Sequence, residues 1–230
     1  PPVKGQGAFT NRKPDAFLDE IHRQAADSPI IRLATMARKG QLPEFGEYGS
    51  NVRVIPYNAD AGQHVYDRNS QVICGLNAVR FALTQKIRTK LGKLSRTPEV
   101  GETILCCRND KDRGIFNGQL GALLNVEKSY IQPDFLEFKV DMEDTGSVST
   151  SVHPYLFNKH FMPGTQRPRL PKGTGEFDWG YVLTCHKSQG SQWNRITVID
   201  DSASFRDDRW KWLYTAITRA ESELTLVRRG

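Results

Sequence analysis

No run in this 230-residue sequence approaches the roughly 20 consecutive apolar residues that a membrane span requires, so no membrane partner is expected. The four cysteines, Cys74, Cys106, Cys107 and Cys185, form no CxxC pair, and the adjacent couple is a poor zinc chelate. Three of them sit in apolar, strand-like runs. Buried thiols in a reducing, cytoplasmic setting follow, with no metal site. The pattern GxxxxGK[ST] is absent, which removes the backbone cradle and lysine that grip β- and γ-phosphates. No Asp-Glu pair suited to magnesium closes an apolar strand. The sequence opens on Pro1 rather than Met, which reads as a fragment whose missing motifs lie upstream.

What is present describes a folded protein. Hydrophobic residues make up 38%, aromatics 10% and charged residues 25%, a balance that can bury a core. The length suits one substantial domain plus a small one. The formal net charge of +6 favours a polyanionic partner. Between Gln71 and Pro98 stand Arg80, Lys86, Arg88, Lys90, Lys93 and Arg96 with no acid, a run that is either a solvated helix face or a nucleic-acid footprint.

Apolar spacing predicts a helix over Pro14–Asp27 and a second one after Ser28 as N-cap, with Pro29 in its first turn and Gly40 at its end. Val52–Tyr57 and Gln71–Gly75 read as strands, the latter leading through Asn77 into a helix over Ala78–Leu91. Val100–Cys107, Gln119–Val126 and Phe135–Val140 read as strands of a small β module, with an Asn117-Gly118 turn. Strands at Tyr181–Cys185, Ile196–Ile199 and Glu223–Val227, and a helix over Asp208–Ala220, restore the α/β texture. Asn58–Asn69 and Gly164–Gly175 read as loops.

Two strings carry the chemistry. In GYVLTCHKSQGSQW, Gly180–Trp193, an apolar strand delivers Thr184, His186, Lys187, Ser188, Gln189 and Gly190 to the carboxyl edge of a sheet. Open α/β sheets bind ligands at that edge, although polar turns after strands are also ordinary connections. In RWKWLYTAITRAESELTLV, Arg209–Val227, an apolar helix face ends at Thr218 and Arg219. A guanidinium there can project into a cleft and stabilise developing phosphoryl charge, or simply sit on the surface.

In this order the two strings resemble motifs V and VI of superfamily I helicases with a UvrD-like C-terminal domain, most closely the RecD and Dda-like branch. PPVKGQGAF at Pro1–Phe9 is similar to the tail of motif III, and EIHRQAADSPIIRLATMAR at Glu20–Arg38 to motif IV. The resemblance implies an α/β fold of RecA-like parallel-sheet type, interrupted by a small Src-homology-3-type β-barrel. It implies a tail of the preceding motor domain at 1–13, RecA-like segments at 14–98 and 166–230, and the barrel at 99–165. It also implies ATP and Mg2+, bound mainly by an upstream RecA-like domain, and single-stranded DNA as partner with 5′ to 3′ movement. Arg23 and Arg219 would reach the γ-phosphate, Arg219 as arginine finger, with Gln189, Gly190 and Gln192 beside the nucleotide. Gln192 stands where many relatives have a ribose-binding glutamate; it keeps an acceptor but lacks the charge. Thr184, His186, Lys187 and Ser188 would touch the strand. Asn77 and Arg80 resemble a further strand contact, with Asn77 equally readable as an N-cap. Phe116, in NDKDRGIFNGQLG, reads as a core residue in preference to a stacking one. A non-catalytic single-strand-binding module and an RNA helicase of the same superfamily are the alternative readings.

Overall fold

The computed structural model describes residues 28–58, 61–65 and 67–229. The helix expected over Pro14–Asp27, the motif III tail and Arg23 lie outside the described residues. Among the described residues no helix is long and apolar enough to cross a membrane. The chain divides into two compact units, one formed by the segments up to Leu76 and from Thr184 onward, the other by Asn77–Leu183.

In the first unit, α1 (Pro29–Arg38) starts after Ser28, whose extended backbone and Pro29 at the first turn match the sequence reading, although no Ser28 side-chain cap forms. It stops where Gly40 takes φ 73° and Gln41 N–H donates back to Met36 O. Strands β1 (Gly46–Glu47), β2 (Val52–Pro56), β3 (Gln71–Cys74), β9 (Val182–Thr184), β10 (Trp193–Asp200) and β11 (Ala220–Arg228) form one sheet in the order β1-β2-β11-β10-β3-β9. β10 pairs in parallel with both β3 and β11, β11 in parallel with β2, and the short β1 is antiparallel to β2. A short helix, α2 (Ala61–Val65), lies in the stretch read as a loop.

Alternation decides which face of this sheet is apolar. Val52, Val54, Ile196, Val198, Leu224 and Leu226 are buried against Ile30, Leu33, Ala34 and Ala37 of α1 and Trp212, Leu213, Ala216 and Ile217 of α5 (Arg209–Ile217). Arg195 and Thr197 of β10 alternate with these residues. Arg195 holds Glu223 at 2.7 Å and Asp67 at 3.0 Å.

The second unit contains α3 (Asn77–Lys90), then β4 (Thr103–Cys106), β5 (Leu120–Lys128), β6 (Leu136–Met142), β7 (Gly146–Val152), the short α4 (Tyr155–Asn158) and β8 (Phe177–Trp179). Its strands form an antiparallel sheet in the order β7-β6-β5-β4-β8, and a bridge between Val152 and Gly175 links the end of β7 to the residues just before β8. β7 and β8 were not read from the sequence. Leu123, Phe138, Val140, Phe157, Phe177 and Trp179 fill the core.

This unit takes in α3 at one end and extends to Leu183 at the other, so it is wider than the expected insertion at 99–165. The pairing of β8 with β4 ties in one flank, and buried ion pairs tie in both. Two arginines of the basic run are fully buried in it. Arg88 donates to Glu102 Oε1 at 2.6 Å and Oε2 at 3.2 Å and to Ser95 O at 2.6 Å, with its guanidinium 4.2 Å from the Trp179 ring centre. Arg80 donates to Asp178 Oδ2 at 2.8 Å, and Asp178 Oδ1 also meets His160 Nε2 at 2.8 Å. Burial holds the His160 pKa below its ordinary value. A buried carboxylate is tolerated only when such partners satisfy it.

Nearer the surface, Glu176 accepts from Tyr155, Arg108 and Arg167. The Arg167 hydrogen bond leads the contributions that pull its carboxyl down to about 2. Because this pKa lies below that of an unfolded glutamate, near 4.3, its stabilisation is complete above pH about 4.3 and is lost as pH falls toward about 2. Glu176→Gln is therefore expected to flatten the acid limb of the stability curve, checked by denaturant titration across that window. Arg88→Met should leave Glu102 uncompensated and cost about 3–5 kcal/mol, read by urea unfolding; a loss below about 1 kcal/mol would show that water reaches Glu102.

Candidate functional site

The first string does not converge on one place; it travels. Cys185 N–H donates to Cys74 O at 2.8 Å, which sets Thr184 beside the carboxyl end of β3. The chain then turns over residues 185–190, closed by Lys187 N–H and Ser188 N–H to Thr184 O at 2.8 and 3.0 Å. Ser188 is buried and donates to Cys185 O at 2.9 Å, so its hydroxyl serves the turn itself. His186 and Gln189 are exposed, and Lys187 is half-buried. Gly190 is also exposed, with φ 92°, a backbone that favours glycine, and nothing lies within 4 Å of where a Cβ would sit. Cys185 is buried beneath the turn, and burial pushes its thiol up to about 12, which keeps it unreactive.

By Trp193 the chain has reached the amino end of β10. There Trp193 N–H donates to Arg219 O at 3.0 Å, and Gln192 Nε2 donates to Thr218 O at 3.3 Å. Helix α5 has ended at Ile217, so Thr218 and Arg219 form the link into β11. The Arg219 guanidinium donates to Thr215 O at 3.2 Å, Ser191 O at 3.1 Å and Thr218 Oγ1 at 3.4 Å. All three acceptors are neutral, and among the described residues no carboxylate forms an ion pair with it. A half-buried guanidinium held by two carbonyls and a hydroxyl can still meet an anion arriving from outside.

The two strings therefore make two groups. One, with Thr184, His186 and Lys187, lies by the carboxyl end of β3. The other gathers Ser191, Gln192, Thr218 and Arg219 at the amino ends of β10 and β11, with Gly190 on the turn just before it. The expectation that the whole polar turn sits at the carboxyl edge holds for its first half only, because the segment crosses to the other end of the strands without forming a helix.

The carboxyl end carries further groups that the sequence reading missed. Asp201, just past β10, accepts Gly75 N–H at 2.6 Å and Leu76 N–H at 2.8 Å. Burial raises its pKa, while those two amides favour the ionised form. Phe205 packs over the same glycine: a Cβ on Gly75 would sit inside van der Waals contact of both the Asp201 carboxylate and the Phe205 ring. The available signal was Gly75 itself, a glycine ending a buried strand, which marks close approach of other atoms.

Two expected contacts stand in the second unit. Asn77 opens α3 and is exposed, and its side-chain oxygen accepts from Arg80 Nε at 3.3 Å. Arg80 is buried in its pair with Asp178, so its guanidinium serves the fold of that unit; the surface placement read from charge alone is corrected by a partner 98 residues away. Phe116, read as core, is 48% exposed, because the turn after the buried Ile115 leaves its ring outside the β module. Among the described residues no group of His, Cys, Asp and Glu side chains is arranged to hold a metal ion.

Residues 180–227, which contain both strings, match the UvrD-like helicase C-terminal domain. The ATP-dependent RecD2 DNA helicase of Deinococcus radiodurans is 26% identical over 233 residues, an alignment covering 93% of this chain and 28% of that protein. The RecBCD enzyme subunit RecD of Buchnera aphidicola is 26% identical over 127 residues, covering 55% of this chain and 17% of that one. The chain thus spans less than a third of the length of these relatives. A Pif1 helicase from Bacteroides, solved with ADP-AlF3 and single-stranded DNA, superposes with a TM-score of 0.52 at 16% identity, covering 91% of this chain and 51% of its own. That likeness is one of fold, a helicase-type α/β architecture with mixed sheets. The sequence matches agree with the resemblance to the RecD-like branch of superfamily I.

Gly75→Ala is expected to displace Asp201 or Phe205 and to destabilise the chain by about 1–3 kcal/mol, measured by denaturant unfolding. A neutral result would mean that the two groups move aside freely.

Proposed function

We propose that this chain, with a UvrD-like helicase C-terminal domain at residues 180–227, is the C-terminal motor half of an ATP-dependent DNA helicase in which Arg219 acts as the arginine finger. The observation that carries this reading is the condition of Arg219: a half-buried guanidinium fixed by three neutral oxygens, free of any carboxylate among the described residues, beside Gln192 and the open turn at Gly190. Such a cation suits the charge that spreads over a transferring phosphoryl group. Gln189, Gly190 and Gln192 would lie along the nucleotide. Among the described residues no group of His, Cys, Asp and Glu side chains could hold a metal ion, and the sequence has no phosphate loop. ATP and Mg2+ would be gripped mainly by an upstream RecA-like domain, with Arg23 as a second cation assigned by resemblance alone.

In this reading Thr184, His186 and Lys187 meet single-stranded DNA from the other end of the strands. Ser188 shapes their turn rather than touching the strand. Nucleotide state at one end is felt by the strand contacts at the other, and alternate closing and opening against the upstream domain moves the protein 5′ to 3′. Residues 14–76 and 184–230 would form the second RecA-like domain. The antiparallel order β7-β6-β5-β4-β8, with the Val152–Gly175 bridge, supports reading the inserted unit as a small Src-homology-3-type barrel.

The test uses this chain joined to an upstream domain that carries a phosphate loop. Arg219→Ala is expected to lower DNA-stimulated ATP hydrolysis by about 10³-fold or more while oligonucleotide affinity changes by less than about twofold. Full turnover in that variant would remove Arg219 from the reaction. The 230-residue chain alone should show no ATPase; steady-state hydrolysis abolished by the same substitution would overturn the division of labour. Strand binding indifferent to nucleotide in the joined protein would favour a non-catalytic binding module. A preference for RNA over a matched DNA oligonucleotide would favour an RNA helicase.

A further inference from the structure

The Phe205 ring is fixed from several sides within the first unit. It stacks on Trp212 with centroids 5.6 Å apart and an interplanar angle of 10°. Its edge fills the space that a side chain on Gly75 would need. The His186 imidazole stands 6.4 Å away, centroid to centroid, tilted by 49°, within the range over which aromatic rings interact. Next in the chain, Arg206 takes φ 47° and ψ −113°, a backbone that residues other than glycine rarely adopt. Four residues before the ring, Asp201 binds the amides of Gly75 and Leu76.

These features fit together in one way. A ring required only for burial needs neither a strained successor nor a glycine cut away to receive it, and Phe205 sits at the margin of the apolar core, half-buried. Strain of this kind persists where the surrounding contacts over-determine it, and it concentrates at sites with work to do. Beneath the ring, Trp212 is tied to the turn as well, since Cys185 Sγ lies 3.8 Å from Trp212 O. Phe205 thus stands between the body of α5 and the exposed half of the turn. A fixed aromatic face beside the imidazole narrows the rotamers open to it.

We propose that Phe205 is a positioning residue for His186, holding the imidazole in the orientation that meets single-stranded nucleic acid, an inference that rests on the strand-contact role proposed above for the turn. Asp201 and Gly75 form the seat against which the ring is set. Phe205 itself need not touch the strand.

The experiment is a double-mutant cycle on the 230-residue chain, with affinity for a short oligothymidylate as one readout and the His186 ring proton resonances, recorded without nucleic acid, as the other. Phe205→Ala should weaken binding about tenfold in the presence of His186 and by less than about twofold in a His186→Ala background. Phe205→Leu, which keeps most of the apolar volume and removes the ring, should still unfold cooperatively and yet weaken binding, whereas Phe205→Tyr should bind as the parent does. The His186 resonances should carry a ring-current displacement that Phe205→Leu abolishes. An equal loss of affinity with and without His186 would overturn the proposal, as would resonances unchanged by removal of the ring. A displaced His186 signal in a chain with no salt-sensitive affinity for the oligonucleotide would instead refute the strand-contact reading on which the proposal stands.

Discussion

The parallel pairing of β10 with β11 on one side and β3 on the other is the constraint on which the rest of the first unit depends. At about 3.3 Å per residue, the eight residues of β10 separate its ends by roughly 25 Å. Its amino end accepts the chain from the polar turn and is stitched to Arg219 through Trp193 N–H. Its carboxyl end runs into Asp201, which holds Gly75 and Leu76. Both ends keep their spacing because the strand between them is buried at four consecutive positions, Ile196 to Ile199, and cannot slide without turning its apolar side chains to the wrong face.

Helix α5 packs over the same sheet, its nine residues rising about 13 Å. Trp212, Leu213, Ala216 and Ile217 lock it to the apolar face, so Phe205 before its start and Arg219 after its end belong to one rigid piece. A cation at one extremity and an aromatic ring at the other are thereby held at a fixed separation, with the polar turn passing along the helix between them. If Arg219 meets a phosphate as proposed above, a displacement of the arginine would be transmitted by packed side chains rather than by a flexible loop.

How much of this could be read beforehand depended on where each residue's partner lies in the sequence. The strands of the apolar sheet face and helix α1, with Pro29 and Gly40 at its ends, announce themselves by local period and punctuation. The two strings were recognisable as continuous text. What escaped was long-range. Arg80 and Arg88 looked like surface charge because Asp178 and Glu102 lie 98 and 14 residues away and carry no local mark. Strand β7, GSVSTSV, is rich in serine and threonine and buries only Thr150 and Val152, too little for an apolar pattern to register. The split of the polar turn between two ends of β10 is invisible in a string whose members are neighbours. Asp201 and Phe205 gave no signal beyond the glycine they press upon.

The insertion of the second unit has a consequence for how the molecule reaches this state. The first unit is complete only when Cys185 N–H finds Cys74 O, yet about a hundred residues, Asn77–Leu183, separate the two. As an unstructured tether that stretch would impose a long loop closure before any reward, a slow and aggregation-exposed step. Once its own antiparallel sheet and its buried Arg88–Glu102 pair have formed, the tether is a compact body and the search is shortened. The buried charged pair that keeps Asn77–Leu183 compact therefore bears on how readily the sheet that carries Arg219 can close.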